Sequence, residues 1–213
     1  APSADTVPPG EAAANAPIGQ LERNFATDPA VVGASAAAFI AGLSQAGVMT
    51  AVKHFPGLGR VAGNTDFTAD GIVDDRTTAD DLYLGAFATA LAARPAMVMV
   101  SLARYSQLDP DHPAALSPAI VTDLLRGRLG WDSVVVSDSL SAQAVASLSA
   151  GQRAVDFIRA GGDLTIFQVA AEAQEAWQAL VDTAAADPAF AAQLEASVQR
   201  LLTAKAAAGL LSA

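Results

Sequence analysis

Four short apolar runs, each followed by a polar segment and then by a helical pattern, limit what this chain can fold into. The runs begin near residues 48, 96, 133 and 164, and valine is prominent in the first three. Apolar runs of this length without polar alternation are typical of strands buried on both faces of a parallel sheet. Repeated strand–helix–strand units of this kind form either a doubly wound sheet or an eightfold (β/α)8 barrel.

A possible fifth strand lies at residues 2–6. Five strands are too few to close an eightfold barrel, although the polar residues that follow the strands suit one. We find neither a sequence repeat nor an interdomain linker, so we expect one layered α/β domain over residues 1–213.

Helix caps and a 3.6-residue apolar period predict the helices between the strands. The clearest start is Asp28-Pro29, where Asp is the N-cap and Pro the first helical residue, and this helix stops at Gly47. Ser117-Pro118 opens another helix in the same way. The remaining helices are predicted over residues 80–93, 151–160, 170–185 and 187–208, and the long polar segments 56–78 and 104–116 are predicted as loops.

Composition excludes several classes of function. The net charge of −10 and the pI near 4.4 argue against a nucleic-acid or anionic membrane surface, because phosphate binding requires clustered Lys and Arg. The absence of cysteine excludes thiol chemistry and disulfides. No apolar run reaches the length of a membrane span, and residues 1–20 lack the charged and apolar regions of a signal peptide.

Polar side chains follow two of the predicted strands. Asp138 comes just after an all-valine run. It is interpreted either as a nucleophile or general base, or as an acid that caps the following helix or accepts backbone N–H bonds. Lys53 and His54 follow the first run, and side-chain alternation would turn one of them away from a ligand unless the chain already bends at Pro56. They are interpreted either as donors to substrate hydroxyls, or as a lysine paired with a buried acid and a packed histidine.

Three further polar residues lie in predicted loops. Asp66 on its own is typical of a solvated turn, and Arg23, next to Glu22, either clamps a ligand oxygen or forms a surface ion pair. His112 lies in a turn-rich Asp-Pro-Asp-His-Pro segment and is interpreted as structural.

The glycines after the first strand have the spacing of a dinucleotide-binding loop. Gly57, Gly59 and Gly63 fit this spacing, but Pro56 precedes them and the segment that follows contains no helix former. A pyrophosphate site of this type needs a helix N-terminus, so we do not favour a nucleotide, and we expect no cofactor and no metal.

The motif Lys53-His54-Phe55-Pro56-Gly57, followed by Gly59 and later by Ser137-Asp138, resembles glycoside hydrolase family 3. The similarity is to its bacterial β-N-acetylglucosaminidase branch, whose signature reads K-H-F-P-G-H-G. Other segments also match the family's motifs, and they follow one another in unbroken order to about residue 165: Ala1-Pro2 through Asp5, Ile18-Gly19 through Arg23-x-Phe25, Asp28-Pro29, Leu108-Asp109, Ser117-Pro118 and Ala160-Gly161-Gly162-Asp163.

The resemblance implies part of a (β/α)8 barrel, about its last five β/α units, and a retaining glycosidase. Asp138 matches the family's nucleophile, while Arg23, Lys53 and His54 match the residues that hold the sugar hydroxyls. The implied substrate carries terminal β-linked N-acetylglucosamine, as in cell-wall fragments handled during peptidoglycan recycling. We also expect that an N-terminal part of the barrel is missing and that any export signal lies upstream.

The chain departs from the family pattern in one triplet and at two single positions. The acid/base triplet D-S-H is replaced by Asn64-Thr65-Asp66, so that an aspartate stands where the histidine is expected. Asp66 is then the candidate proton donor if burial raises its pKa, and otherwise the chain is a degenerate or truncated sugar-binding pseudoglycosidase. Leu58 also replaces a histidine, and Ser139 replaces an aspartate.

Overall fold

A computed structural model describes residues 1–211, and a parallel sheet forms its centre. The strands of the chain are β1 (Ala51–Phe55), β2 (Val73–Asp74), β3 (Met97–Val100), β4 (Arg104–Tyr105), β5 (Asp109–Pro113), β6 (Val134–Ser139) and β7 (Leu164–Ile166). The central sheet has the order β1-β3-β6-β7, and each neighbouring pair is parallel. The four predicted apolar runs thus lie side by side in chain order, which is the arrangement that β/α units in series produce.

The amino-terminal segment extends this sheet beyond β1. Ser3 forms a parallel bridge with Lys53, and the backbone N–H of Ala4 donates to the carbonyl of Lys53 at 2.7 Å. The predicted strand at residues 2–6 is therefore present as a short bridge.

Helices connect the strands, and most begin where the sequence predicts. They are α1 (Pro29–Gln45), α2 (Leu84–Ala92), α3 (Ala150–Arg159), α4 (Ala170–Ala186) and α5 (Pro188–Ala207), together with a π-helix (Ala119–Arg128) and four short 3-10 turns. The Asp28 side chain caps α1 by accepting the N–H of Ala30 at 2.8 Å. None of the helices in residues 1–211 combines the length and hydropathy that a membrane crossing requires.

Two predicted boundaries are wrong. β1 begins at Ala51, so Lys53 and His54 lie within the strand instead of following it. Helix α2 begins at Leu84 instead of residue 80, because Asp81 holds the preceding segment in turns: its carboxylate accepts the N–H of Tyr83 at 2.8 Å and pairs with Arg60 at 2.6 Å.

A second, three-stranded sheet of order β2-β4-β5 lies within the two segments predicted as loops. Its strands are short and polar, so they carry no apolar alternation that would reveal them. Tyr105 of β4 is fully buried and donates from its hydroxyl to the carbonyl of Gly57 at 2.8 Å. The small sheet therefore supports the loop that follows β1.

Close backbone packing fixes that loop. A Cβ at Gly59 would lie 1.9 Å from the carbonyl oxygen of Thr6, so only glycine fits there. Phe55 and Phe87 pack edge to face with ring centroids 5.4 Å apart, which joins β1 to α2 in the core.

A buried ionic cluster stabilises the opposite end of the sheet, where β6 and β7 begin. The fully buried carboxylate of Asp163 accepts from Arg126 and from the N–H of Val135, each at 2.7 Å, and from Arg200 at 2.8 Å. The cluster joins the π-helix and α5 to the start of the sheet. We call it the Asp163 cluster.

Candidate active site

The polar side chains that the sequence singles out gather at the carboxyl ends of β1 and β6. Asp138 is the penultimate residue of β6, and Lys53 and His54 lie near the end of β1. In parallel α/β folds this end of the sheet is where ligands bind, because the loops that follow the strands can shape a pocket there.

The Asp138 carboxylate is half-buried and keeps free acceptor capacity. Its Oδ1 accepts the N–H of Ser139 at 2.8 Å, and it has no ion-pair partner among residues 1–211. A carboxylate with unused lone pairs at a pocket edge can attack an electrophilic carbon.

Asp66 lies on the loop after β1, and main-chain bonds fasten this loop to the segment after β6. The N–H of Ala144 donates to the carbonyl of Thr65 at 3.1 Å, and the N–H of Gln143 donates to that of Asp66 at 3.4 Å. The Asn64 side chain accepts the N–H of Asp66 at 3.0 Å and so shapes the turn. The loop is thereby held next to the connection that follows Asp138.

Partial burial raises the pKa of the Asp66 carboxyl above its ordinary value, and the negative charge of Asp138 raises it further. Arg23 and Lys53 lie close enough for their positive charge to oppose this rise, and His54 is a further neighbour of Asp66. Because these interactions join all five predicted site residues, the structure brings Asp138, Asp66, Arg23, Lys53 and His54 into one electrostatic neighbourhood. Their catalytic and binding roles stay predictions.

His54 is buried and held on both sides. Its Nδ1 lies 2.7 Å from Oδ2 of Asp5, and its Nε2 lies 3.5 Å from Nη2 of Arg23. Arg23 also donates to the carbonyl of Pro17 at 2.9 Å and makes no ion pair with Glu22. The surface ion pair that the sequence favours for Arg23 is therefore wrong.

Lys53 is half-buried and has no ion-pair partner in the part of the chain that the structure describes. The proposed pairing of this lysine with a buried acid is therefore wrong, and its ammonium group is available to a ligand oxygen. His112 lies apart from this group on β5, exposed and 3.0 Å from Asp109, which agrees with a structural role.

Asp5 is the residue that sequence reasoning did not single out for the site. In the sequence, Asp5 is only the last residue of a strand motif. Its contact with His54 spans 49 positions of the chain, so no local pattern places it in the site. Leu58 and Ser139, which depart from the family pattern, are both buried, and the Ser139 hydroxyl has no hydrogen-bond partner among residues 1–211.

The glycine-rich loop does not fit a dinucleotide. No helix begins between Gly59 and Gly63, and α2 starts only at Leu84, so no helix N-terminus faces this loop. No group of three or more potential metal-ligating side chains occurs among the described residues.

Comparison with known proteins decides the family. Residues 9–204 match the profile of the glycosyl hydrolase family 3 N terminal domain. The chain belongs to glycosyl hydrolase family 3. Its parallel sheet and connecting helices are accordingly a part of the (β/α)8-barrel-like fold of family 3.

Individual relatives agree with this assignment. The crystal structure of β-N-acetylhexosaminidase from Beutenbergia cavernae is 50% identical with a TM-score of 0.93, over 97% of this chain and 62% of that chain. The β-hexosaminidase of Stenotrophomonas maltophilia is 40% identical over 61% of this chain and 38% of its own length. The β-hexosaminidase LpqI of Mycobacterium tuberculosis is 32% identical over 86% of this chain.

This family 3 chain spans 38% and 49% of the length of those two curated relatives. The Beutenbergia structure is likewise longer than the region that this chain covers. The family and the fold therefore follow from the comparisons, whereas the activity of the relatives is carried to this chain only as a proposal.

Proposed function

We propose that this chain carries the catalytic residues of a retaining β-N-acetylhexosaminidase that releases terminal β-linked N-acetylglucosamine from cell-wall-derived or related glycans. The observation that carries the proposal is the pairing of two acids: Asp66, which has a raised pKa and lies on a loop bonded to the segment after β6, and Asp138, which has no ion-pair partner among residues 1–211. Retaining glycosidases need this pairing, with one acid protonated and the other ionised.

In the first step, an Asp138 oxygen attacks the anomeric carbon and forms a glycosyl ester. The glycosidic C–O bond breaks, and the Asp66 proton moves to the leaving oxygen. In the second step, Asp66 takes a proton from water, whose oxygen attacks the same carbon and releases Asp138. Arg23 and Lys53 bind the sugar hydroxyls, and these charge-assisted bonds strengthen as positive charge develops on the sugar ring.

Residues 1–213 are proposed to form one partial barrel domain, with the first barrel strands supplied from outside this segment. Two outer strands support this, because the bridge at Ser3 and strand β7 each have a single neighbour in the sheet that residues 1–211 form. A closed barrel leaves no such edge, so further strands would complete the wall of the sugar pocket.

Covalent trapping tests the proposed reaction. A 5-fluoro N-acetylglucosaminyl fluoride has a leaving group good enough for the first step, while the ring fluorine slows the second. Intact mass spectrometry should show one added sugar on the chain, and peptide mapping should place it on Asp138. The Asp138→Asn variant is the control and should stay unlabelled.

A sugar-binding pseudoglycosidase is the second candidate, because the family's acid/base histidine is absent here. This alternative predicts that N-acetylglucosamine binds, as measured by calorimetry, but that neither label nor hydrolysis of an aryl glycoside appears. That outcome would overturn the proposed enzyme.

A further inference from the structure

The two ring nitrogens of His54 face partners of opposite chemical character. Nδ1 lies 2.7 Å from a carboxylate oxygen of Asp5, whereas Nε2 lies 3.5 Å from a guanidinium nitrogen of Arg23. A carboxylate only accepts hydrogen bonds, and a guanidinium only donates them. These contacts therefore determine which nitrogen carries the proton.

Asp5 is well suited to remain ionised although it is fully buried. Its Oδ1 accepts the backbone N–H groups of Leu58 at 2.7 Å and His54 at 3.2 Å, and its Oδ2 accepts the Ser3 hydroxyl at 2.7 Å. Burial raises the pKa of Asp5, but His54 and these donors outweigh the effect and lower it overall. An ionised carboxylate only accepts hydrogen bonds, so its 2.7 Å contact requires that Nδ1 of His54 carry a proton.

Arg23 gives the complementary constraint on Nε2. Because the guanidinium has no lone pair to offer, its contact with Nε2 requires that this nitrogen be the acceptor. Asp5 lies on the Nδ1 side of the ring and Arg23 on the Nε2 side, and Asp66 lies near enough to interact electrostatically with His54.

We propose that Asp5 is a positioning residue, which fixes His54 as the neutral Nδ1–H tautomer and presents Nε2 to the ligand as a hydrogen-bond acceptor. This reverses the donor role that the sequence suggests for His54, while Arg23 and Lys53 keep theirs. Nε2 has a single lone pair, and its 3.5 Å contact with Arg23 is long enough for a sugar hydroxyl to replace it. That hydroxyl then donates to the histidine and accepts from a neighbouring cation. The identity of the ligand rests on the proposed function, but the tautomer does not.

Nitrogen NMR of the histidines tests the tautomer directly, because the chain contains only two, His54 and His112. In protein labelled with ¹⁵N-histidine, the variant His112→Gln leaves a single set of ring signals. We expect a pyrrole-type Nδ1 and a pyridine-type Nε2 near neutral pH. A pyridine-type Nδ1, or two pyrrole-type nitrogens, would overturn the proposal.

Substitution of Asp5 tests the positioning role. Asp5→Asn removes the charge at nearly constant shape, so the two tautomers should interconvert and the nitrogen signals should average. Ser3→Ala is the matched control, since it removes a neutral donor to the same carboxylate and should leave the tautomer unchanged. If Asp5→Asn keeps the wild-type signals, Asp5 does not fix the tautomer.

His54→Asn gives a second measurement that does not depend on Asp5 variants being folded. The asparagine amide can still donate to Asp5 but lacks a group at the position of Nε2. We expect kcat/KM for an aryl N-acetylglucosaminide to fall about 10- to 100-fold, the range for removing one oriented hydrogen-bonding group. Unchanged kinetics would exclude a ligand contact at Nε2, whereas an inactive wild type would overturn only the proposed function.

Discussion

The acids at the two ends of the sheet differ in how many hydrogen bonds their carboxylate oxygens accept. Asp163, where β7 begins, is fully buried and accepts from two arginines and a backbone N–H. Asp138, where β6 ends, accepts a single short-range bond and keeps a half-buried carboxylate. A carboxylate with all its lone pairs occupied stabilises a fold, whereas one with spare lone pairs can meet a substrate.

Asp66 belongs with Asp138 in this comparison. It is largely exposed, makes no ion pair within residues 1–211, and has a raised pKa. The two ends of the sheet should therefore respond to substitution in different measurements: the Asp163 cluster in stability, and the carboxyl-end acids in rate.

The largest effect should follow removal of the proton donor. For Asp66→Ala we expect hydrolysis of a glycoside with a poor leaving group to fall about 10²- to 10⁴-fold, because the leaving oxygen is no longer protonated. For a glycoside with an activated leaving group, the rate of the first step should fall much less. Added azide should restore turnover of that activated glycoside by attacking the glycosyl ester, and the β-glycosyl azide is identified by mass spectrometry. If the rates of hydrolysis of both glycosides fall equally, Asp66 is not the proton donor.

Asp163→Asn should have the converse effect. Removing the charge leaves two arginines without their buried partner, and we expect a loss of about 3 to 5 kcal/mol in the free energy of unfolding. Urea denaturation measures this loss. The kcat of the folded fraction at low temperature should remain near the wild-type value. A large change in kcat without loss of stability would contradict the division between the two ends.

A smaller effect concerns the pH dependence of kcat/KM. The first step requires protonated Asp66, so kcat/KM should fall as pH rises through its raised pKa. Since the positive charge of Arg23 lowers that pKa, Arg23→Gln should raise it and move the alkaline limb to higher pH. Arg76→Gln is the matched control, because Arg76 pairs with Glu11 and should leave the limb in place. If the alkaline limb does not move in Arg23→Gln, the group that titrates in this limb is not Asp66.

The smallest effect is expected at the exposed pair of Glu11 and Arg76, 2.7 Å apart with side chains 41% and 46% exposed. Glu11→Gln should cost less than about 1 kcal/mol, because solvent screens the pair. Thermal unfolding of Glu11→Gln and of Asp163→Asn, measured side by side, compares the stability that each ion pair contributes. A similar loss of stability in both variants would show that burial does not determine how much these ion pairs contribute.

The sequence was sufficient for the elements whose signals are local. Asp28-Pro29 predicted the start of α1, and the valine-rich runs predicted the order of the main strands. The resemblance to family 3 predicted the group of residues that the structure brings together at the carboxyl end of the sheet.

Features that depend on distant contacts were not predicted. The β2-β4-β5 sheet consists of strands with no apolar period, so its pairing depends on the buried Tyr105 and its neighbours. The partner of His54 lies 49 residues away, and no local pattern indicates it. The end of β1 was placed too early because Lys53 and His54 are polar yet lie within the strand.

The two hydrogen bonds that attach the Asp66 loop to the segment after β6 join main-chain atoms, of Thr65 and Asp66 on one side and of Gln143 and Ala144 on the other. Because every amino acid other than proline offers these same atoms, the location of the proton carrier does not depend on which side chain carries the proton. Evolution can therefore exchange one titrating group for another at this position, and tune the acidity of the reaction, without rebuilding the scaffold around it.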